Sequence, residues 1–276
     1  MTKLKNTAIL AALAFGAISV PAWAQSPTAA PPTYADLVSL SESANLVLRA
    51  EVKRQAVVEP ERAPGLQPGH ARLYIEAETL ALLSGTMPVG ESLRYLVDVP
   101  LDAKGKTPKL KNQQFLLFAR PGRRATEIQL VDPRAQIAYS PELETQLRPV
   151  LNQLAAADKP PVVSGIRDAL SVPGNLAGES ETQLFLDTVA GDPVSLTIVR
   201  RPGQRPQWGV SWSELVDQAA RPPRSETLEW YRLACTLPPR LPDRANLTRD
   251  SASRARAAED YAFVLQQLGP CQRNRG

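Results

Sequence analysis

The chain has 276 residues, 43% hydrophobic and 22% charged, enough to build one large or two modest cores, and two is the organisation the sequence suggests. Its formal charge of +4 falls to +2 without Lys3 and Lys5, leaving 30 basic against 28 acidic residues. With Arg dispersed among acids over most of the length, the concentrated basic patch of a nucleic-acid binder is missing from the sequence, and no nucleic-acid partner is expected.

Lys3 and Lys5 precede an uncharged apolar run over 8–20 that ends at Pro21 and the small-residue frame Ala22-Trp23-Ala24. About 13 residues are too few for a membrane span, which needs about 20, and the pattern predicts a signal peptide over 1–24 cleaved after Ala24. No Cys follows the apolar run and no later run is long enough to span a bilayer, so the expectation is a soluble periplasmic or secreted protein. Residues 25–33, rich in Pro and Ala, predict a disordered leader, with folding from Tyr34.

From 43 to 120 the text reads as β-structure. A run over 44–52 leads to a loop marked by Pro60, Pro64, Gly65, Pro68 and Gly69. Over 71–83, Leu73, Ile75 and Ala77 alternate with Tyr74, Glu76 and Glu78, the period that turns one face to a core. Further runs at 93–99 and 114–119 follow, the second continuous enough for burial on both sides. Four or five strands predict a small antiparallel β-barrel. Ser140 and Pro141 then open a helix with Leu143, Leu147, Val150, Leu151 and Leu154 at helical spacing, which Pro149 should kink or split into two. The first domain is thus expected over 34–157, with Asp158-Lys159-Pro160-Pro161 as linker.

Three features carry a resemblance: the run Ala44 to Val52 (Ala-x-Leu-Val-Leu-Arg-Ala-Glu-Val), a long strand closing on Leu83-Ser84-Gly85, and Lys109-Leu110-Lys111 leading into Phe115-Leu116-Leu117-Phe118. In that order, over 34–154, the chain resembles the OB-like barrel of netrin-like and tissue-inhibitor-of-metalloprotease-like domains. The resemblance implies a binding module. The metalloprotease inhibitors of that group use an N-terminal Cys to reach the metal; this half has no Cys, so the inhibitory chemistry does not carry over and no functional residue is transferred.

Residues 162–276 read as an α+β domain. Strands over 182–189, 193–200 and 207–212, divided by Gly191-Asp192 and by a Pro-Gly turn at 201–205, predict a three-stranded antiparallel meander. Ser211 and Glu214 form a capping-box pattern for a short helix through Ala220, and Ser225 caps another that carries Leu228, Tyr231 and Cys235. A last helix from Ser251 turns Ala257, Tyr261, Val264, Leu265 and Leu268 to one side and stops at Gly269-Pro270.

Chemistry-bearing patterns are few. Gly105-Lys106-Thr107 resembles the tail of a phosphate-binding loop, but Pro100 stands where its first glycine belongs and Pro108 blocks the helix, so it reads as a polar turn. His70, the only histidine, falls in a loop with no partner for a catalytic triad. One histidine and two cysteines leave zinc chemistry unsupported; no metal and no cofactor is predicted. Glu76 and Glu78 project from one face of one strand, roughly 7 Å apart. Paired glycosidase acids face each other from different elements, so these two read as a solvated face. Asn246-Leu247-Thr248 matches a glycosylation sequon in a polar loop.

Trp208, Trp212 and Trp230, the last beside Tyr231, fit either a core or a stacking platform for a sugar or extended peptide; these four are the binding-site candidates. Cys235 and Cys271, the only cysteines, predict an intramolecular disulfide between the ends of two packed helices. With no catalytic residues assigned, the expected function is non-catalytic binding of another protein or an envelope polymer. An envelope hydrolase using carboxylates or a Ser/Lys pair and a structural assembly component are the alternatives.

Overall fold

Thr33 starts the first helix by a reciprocal cap: its hydroxyl accepts the Asp36 N–H, and the Asp36 carboxylate accepts the Thr33 N–H at 2.9 Å. Helix α1 (Tyr34–Ser43) follows and buries Leu37, Val38 and Leu40. The apolar patterning points straight to β-structure here, and the box Thr33–Asp36 is the local signal that marks the helix. The computed structural model describes residues 30–124, 126–213 and 220–275, so the predicted signal peptide and nearly all of the leader lie outside the described residues.

Six strands make the first sheet: β1 (Leu46–Val57), β2 (His70–Ser84), β3 (Ser92–Pro100), β4 (Gln114–Pro121), β5 (Ile128–Leu130) and β6 (Gln136–Ala138). The order is β3-β2-β1-β4-β5, with β6 also on β4, and the paired strands are antiparallel. Alternation sets the faces. Leu73, Ile75 and Ala77 of β2 meet Leu93, Tyr95 and Val97 of β3 in one buried cluster. In β4, Phe115 to Ala119 are all buried. Phe115, Leu117 and Ala119 face that cluster, while Leu116 and Phe118 face the helices, which is the two-sided burial the unbroken apolar run predicted.

The closed barrel is where the expectation must be corrected, because among the described residues no sheet closes on itself. The two edges meet at a single point, an isolated parallel bridge between Arg94 and Glu127 at which the Arg94 N–H donates to Thr126 O at 2.8 Å. A three-residue β5 is too short to pair along the nine-residue β3.

Helix α2 (Pro141–Ala155) starts at Ser140, whose hydroxyl accepts the Leu143 N–H. It runs unbroken through Pro149, against the expected split. Leu147, Val150 and Leu151, buried on either side of the proline, hold both halves to one core, which outweighs the single lost hydrogen bond.

The second sheet has four strands, not three: β7 (Val163–Pro173), β8 (Ser180–Thr188), β9 (Val194–Arg200) and β10 (Gln207–Ser211), an antiparallel meander in the order β10-β9-β8-β7. Two register shifts in β7, beside Gly165 and Arg167, blur its alternation and hide it from a reading of periodicity. Helix α3 (Leu228–Ala234) is capped by Thr227 rather than Ser225. The helix expected from Ser211 falls mostly on 214–219, outside the described residues, and Ser211 itself ends β10. Helix α4 (Ser251–Leu268) stops at Gly269, whose φ of 72° is the positive value that favours glycine. Cys235, at the end of α3, and Cys271, past α4, form the predicted disulfide with Cα atoms 5.1 Å apart.

The fold is therefore α+β, with two antiparallel sheets and four α-helices among the described residues. Its larger core joins α1, α2, α3 and α4 to the inner face of the second sheet and to Val47, Leu116 and Phe118 of the first. That core crosses the stretch read as a linker, and residues 31–276 form one compact unit.

Candidate binding groove

Register between β2 and β3 decides which side chains face outward. Inward rungs such as Ile75–Tyr95 alternate with three outward ones: Arg72–Asp98, Tyr74–Leu96 and Glu76–Arg94. The first is a two-pronged ion pair, Arg72 Nε to Asp98 Oδ1 at 2.7 Å and Nη2 to Oδ2 at 2.8 Å. Those bonds push the Arg72 pKa further up and fix the cation. In the third, Glu76 lies 3.8 Å from Arg94 and 3.6 Å from Arg54 of β1. Between these charged rungs sits an apolar one, with Tyr74 37% and Leu96 49% exposed.

Walls rise on both sides of this floor. Residues 56–59 with Arg62 form one, and 127–133, including Leu130, Val131 and Pro133, form the other; together they enclose a groove of about 1020 Å³. Ligand pockets span about 300–1,000 Å³, so the space suits a ligand of several residues or sugar units. Beneath it, burial pushes the Tyr95 hydroxyl far above its ordinary pKa, and that hydroxyl donates to Gln136 Oε1 at 2.8 Å as a neutral structural group.

The groove also borders a free sheet edge. Arg94 turns its N–H away from β2, toward Thr126. Residues two apart on a strand share a side, so the N–H and C=O groups of Leu96 and Asp98 point the same way. Among the described residues β2 is the only strand paired along β3, although β5 lies close beside its other edge, and neither of these N–H groups has a partner there.

The four aromatic candidates lie elsewhere. Trp208, Trp230 and Tyr231 are buried and Trp212 is partly buried, all against the larger core. Trp230 Nε1 donates to Leu268 O at 2.8 Å and its ring meets Tyr34 edge-on at 6.3 Å. Tyr231 shares a 2.9 Å hydroxyl contact with Ser39. The indole N–H groups of Trp208 and Trp212 have no partner among the described residues. This is packing geometry, and no exposed stacking face unites the four.

Other patterns resolve into structure. Gly105 and Lys106 form a turn in which Asp102 Oδ1 accepts the Lys104 and Lys106 N–H groups, each at 2.8 Å. His70 begins β2, with Nδ1 3.2 Å from Pro68 O. Glu78 pairs with Lys53 at 2.6 Å. Asn246 of the sequon is buried, and its Nδ2 donates to Arg254 O at 3.0 Å. No group of three or more potential metal ligands clusters among the described residues. No helix among them is long and apolar enough to cross a membrane.

Sequence reasoning missed Tyr74 and Leu96. The signal was present, since each interrupts an otherwise charged outward set, Arg72 and Glu76 in one strand and Arg94 and Asp98 in the other. What no single strand reveals is the register that sets them opposite each other. Comparison with family models finds no match to the chain, and comparison with curated proteins finds none either.

Proposed function

We propose that this chain is an exported, soluble, non-catalytic binding protein that holds a protein partner in the groove over β2 and β3. One observation carries the reading: an apolar rung, Tyr74–Leu96, is exposed at the floor of a large groove between charged rungs whose ions are already paired. A polysaccharide presents mainly hydroxyls and needs unengaged polar side chains, whereas Arg72 and Asp98 satisfy each other; the floor therefore suits a protein more than an envelope polymer. Nucleic acid would need cations free to meet phosphates, and Arg72 and Arg94 are matched by Asp98 and Glu76.

The OB-type, netrin-like reading belongs to this proposal, as a barrel opened between β3 and β5. The strand order and the parallel Arg94–Glu127 bridge support it. Export through a signal peptide over 1–24 is supported by the Cys235–Cys271 disulfide, which suits an oxidising compartment. Mass spectrometry of the exported chain should find Gln25 at its N-terminus; retention of residues 1–24 would remove this part of the proposal.

The binding reading is tested by placing a photo-crosslinking side chain at Leu96 or, as a control, at the exposed Leu170 of β7. A discrete protein adduct formed from position 96 alone is the expected result. No adduct, or the same adducts from both positions, would refute it.

A further inference from the structure

We infer that the connection between β3 and β4 is an electrostatic docking surface, which draws the protein reversibly onto an anionic phospholipid bilayer through Lys104, Lys106, Lys109 and Lys111. The inference is independent of the groove, whose lining includes none of these residues.

Three observations lead to it. The chain has eight lysines, and four of them fall within 104–111, a stretch that holds no arginine although arginine is the commoner cation of the whole chain; Asp102 is the only acid in 100–113. All four lysines are exposed, and none of their ammonium groups makes an ion pair or hydrogen bond among the described residues. On the strands beside them cations are matched: Lys53 by Glu51 and Glu78, Arg72 by Asp98, Arg94 by Glu76. Finally, the backbone beneath the lysines is fixed. Asp102 Oδ1 holds the N–H groups of Lys104 and Lys106, and the Asp102 N–H donates to Lys106 O at 2.9 Å. Gln55 of β1 holds the other half, donating from Nε2 to Pro108 O at 2.9 Å and accepting the Leu110 N–H at 2.6 Å, with Leu110 buried in the smaller core. Four like charges are thus kept together with nothing in the fold to neutralise them, a concentration of field that favours an external anion.

Residue type and shape choose that anion. Lysine is a hydrated point charge on a flexible stem, suited to a diffuse field of headgroup phosphates, whereas the planar fork of arginine is the group that grips one phosphate or one base. Nucleic acid is further disfavoured because 100–113 has no aromatic ring on which a base could stack. Exposed lysines offer a front rather than a pocket, so a free phosphate meets one or two of them where a bilayer surface meets all four. The loop alongside, tied on by the Leu101 N–H to Gly69 O at 2.8 Å, carries Glu59, Glu61 and Arg62, which reduce the positive excess without cancelling it.

The test is co-sedimentation of the oxidised chain from Gln25 onward with vesicles of phosphatidylcholine, with and without phosphatidylglycerol. Starting at Gln25 removes the apolar run over 8–20 and leaves the compact unit 31–276 whole. Binding should require phosphatidylglycerol and be lost between about 0.05 M and about 0.5 M salt, where the Debye length shrinks to a few ångströms. Each single Lys→Gln change in the set should weaken partitioning about fivefold, and Lys104→Gln, Lys106→Gln, Lys109→Gln and Lys111→Gln combined should abolish it. The control is Arg201→Gln, Arg205→Gln, Arg240→Gln and Arg244→Gln combined, which alters four other exposed cations and reaches the same net charge; it should bind like wild type. Urea unfolding should be unchanged in the lysine variants, since no lysine side chain in the set holds another residue. No binding to phosphatidylglycerol vesicles, equal binding to neutral ones, or binding that survives the quadruple lysine change would overturn the inference. Equal losses in the two quadruple variants would also overturn it, leaving net charge alone. Release by inorganic phosphate at constant ionic strength would replace the surface by a phosphate site, and a short DNA duplex that binds more tightly than the vesicles would replace lipid by nucleic acid.

Discussion

At β7 the second sheet is covered by the chain's return: Leu247 N–H donates to Ala169 O at 3.0 Å, and Ser171 N–H donates to Thr248 Oγ1 at 3.1 Å. At its other edge, Val210 N–H of β10 reaches Arg221 O at 3.4 Å. In the first sheet β3 has one such bond on its outer side, from Arg94, and among the described residues the N–H groups of Leu96 and Asp98 make none, although β5 lies close beside them. An uncovered edge invites unwanted pairing, and the charged Arg94 and Asp98 beside Leu96 are the usual protection against it. The difference teaches that coverage here comes from long-range ties. The 246–248 segment is held by Arg254 of α4, whose Nη1 donates to Asn246 O at 2.6 Å, and α4 is held by the sheet through Asp260.

The strongest test of that contrast is to cut the tie. Asp260 is fully buried and accepts bonds from Arg200 Nε and Thr182 Oγ1, both at 2.5 Å. Asp260→Ala leaves Arg200 without its buried partner, and breaking such a pair costs about 3–5 kcal/mol. Glu259, 3.3 Å from Arg200 on the exposed side, should bring the loss toward the lower figure. Urea unfolding should show it; a loss below about 1 kcal/mol would mean that α4 is held by its apolar face alone.

Reducing Cys235–Cys271 should cost a similar amount. Their separation of 36 residues corresponds to about 4 kcal/mol of unfolded-state entropy on the chain-entropy model. Amide exchange should quicken in α3, α4 and the cover over β7, and change little in β1 to β3. Equal acceleration in both sheets would show that the two regions are not tied separately.

How much of this could be read beforehand follows the range of the interactions. Local signals held: Ser140 with Pro141, the stop at Gly269, and the Leu73-Ile75-Ala77 alternation each gave their element. The cysteine pair was legible because only one intramolecular partner was possible. α1 was lost although its capping box is local, because the short helix is flanked by a Pro- and Ala-rich stretch and by the stronger apolar run over 44–52. β7 was lost to its two register shifts. Whether the sheet closes depends on how far β3 and β5 pair across the whole first block, and the groove depends on the same registers; neither leaves a mark in a single stretch of sequence. Trp208 and Trp230 illustrate the converse, large aromatics equally suited to a core and to a site, which the fold assigns to the core.

A smaller test opens the covered edge of β10. A Cβ on Gly209 would meet the Ala220 carbonyl oxygen at 2.2 Å and its carbon at 2.3 Å, backbone atoms with no flexible end to yield. Gly209→Ala should therefore push residues 220–221 off the strand at a cost of about 1–3 kcal/mol. Faster exchange of the Val210 N–H is the expected reading, and the second sheet would acquire a bare edge like that of β3. Unchanged exchange at Val210 with unchanged stability would show that the 220–221 segment covers nothing.

The smallest effect concerns acid and the clasp between the two chain ends. Burial works against the charge on Asp36, yet the N–H groups of Thr33, Asn274 and Arg275 and the Thr33 hydroxyl all bond to its carboxylate and together hold its pKa below the ordinary 3.8. A carboxyl with a lowered folded-state pKa gives stability that is fully present above the unfolded value and lost as pH falls through the folded one. The clasp should thus be indifferent to pH from neutrality down to about 5 and release the 270–275 segment only at values below 3.8. Cys271 stays anchored through its disulfide, so release should be local and on the order of 1 kcal/mol, comparable with the loss of a helix cap. Amide shifts of Asn274 and Arg275 followed through an acid titration would show it, with Asp36→Asn removing the transition. A transition above about pH 5, or one that survives Asp36→Asn, would assign the clasp to a group other than Asp36.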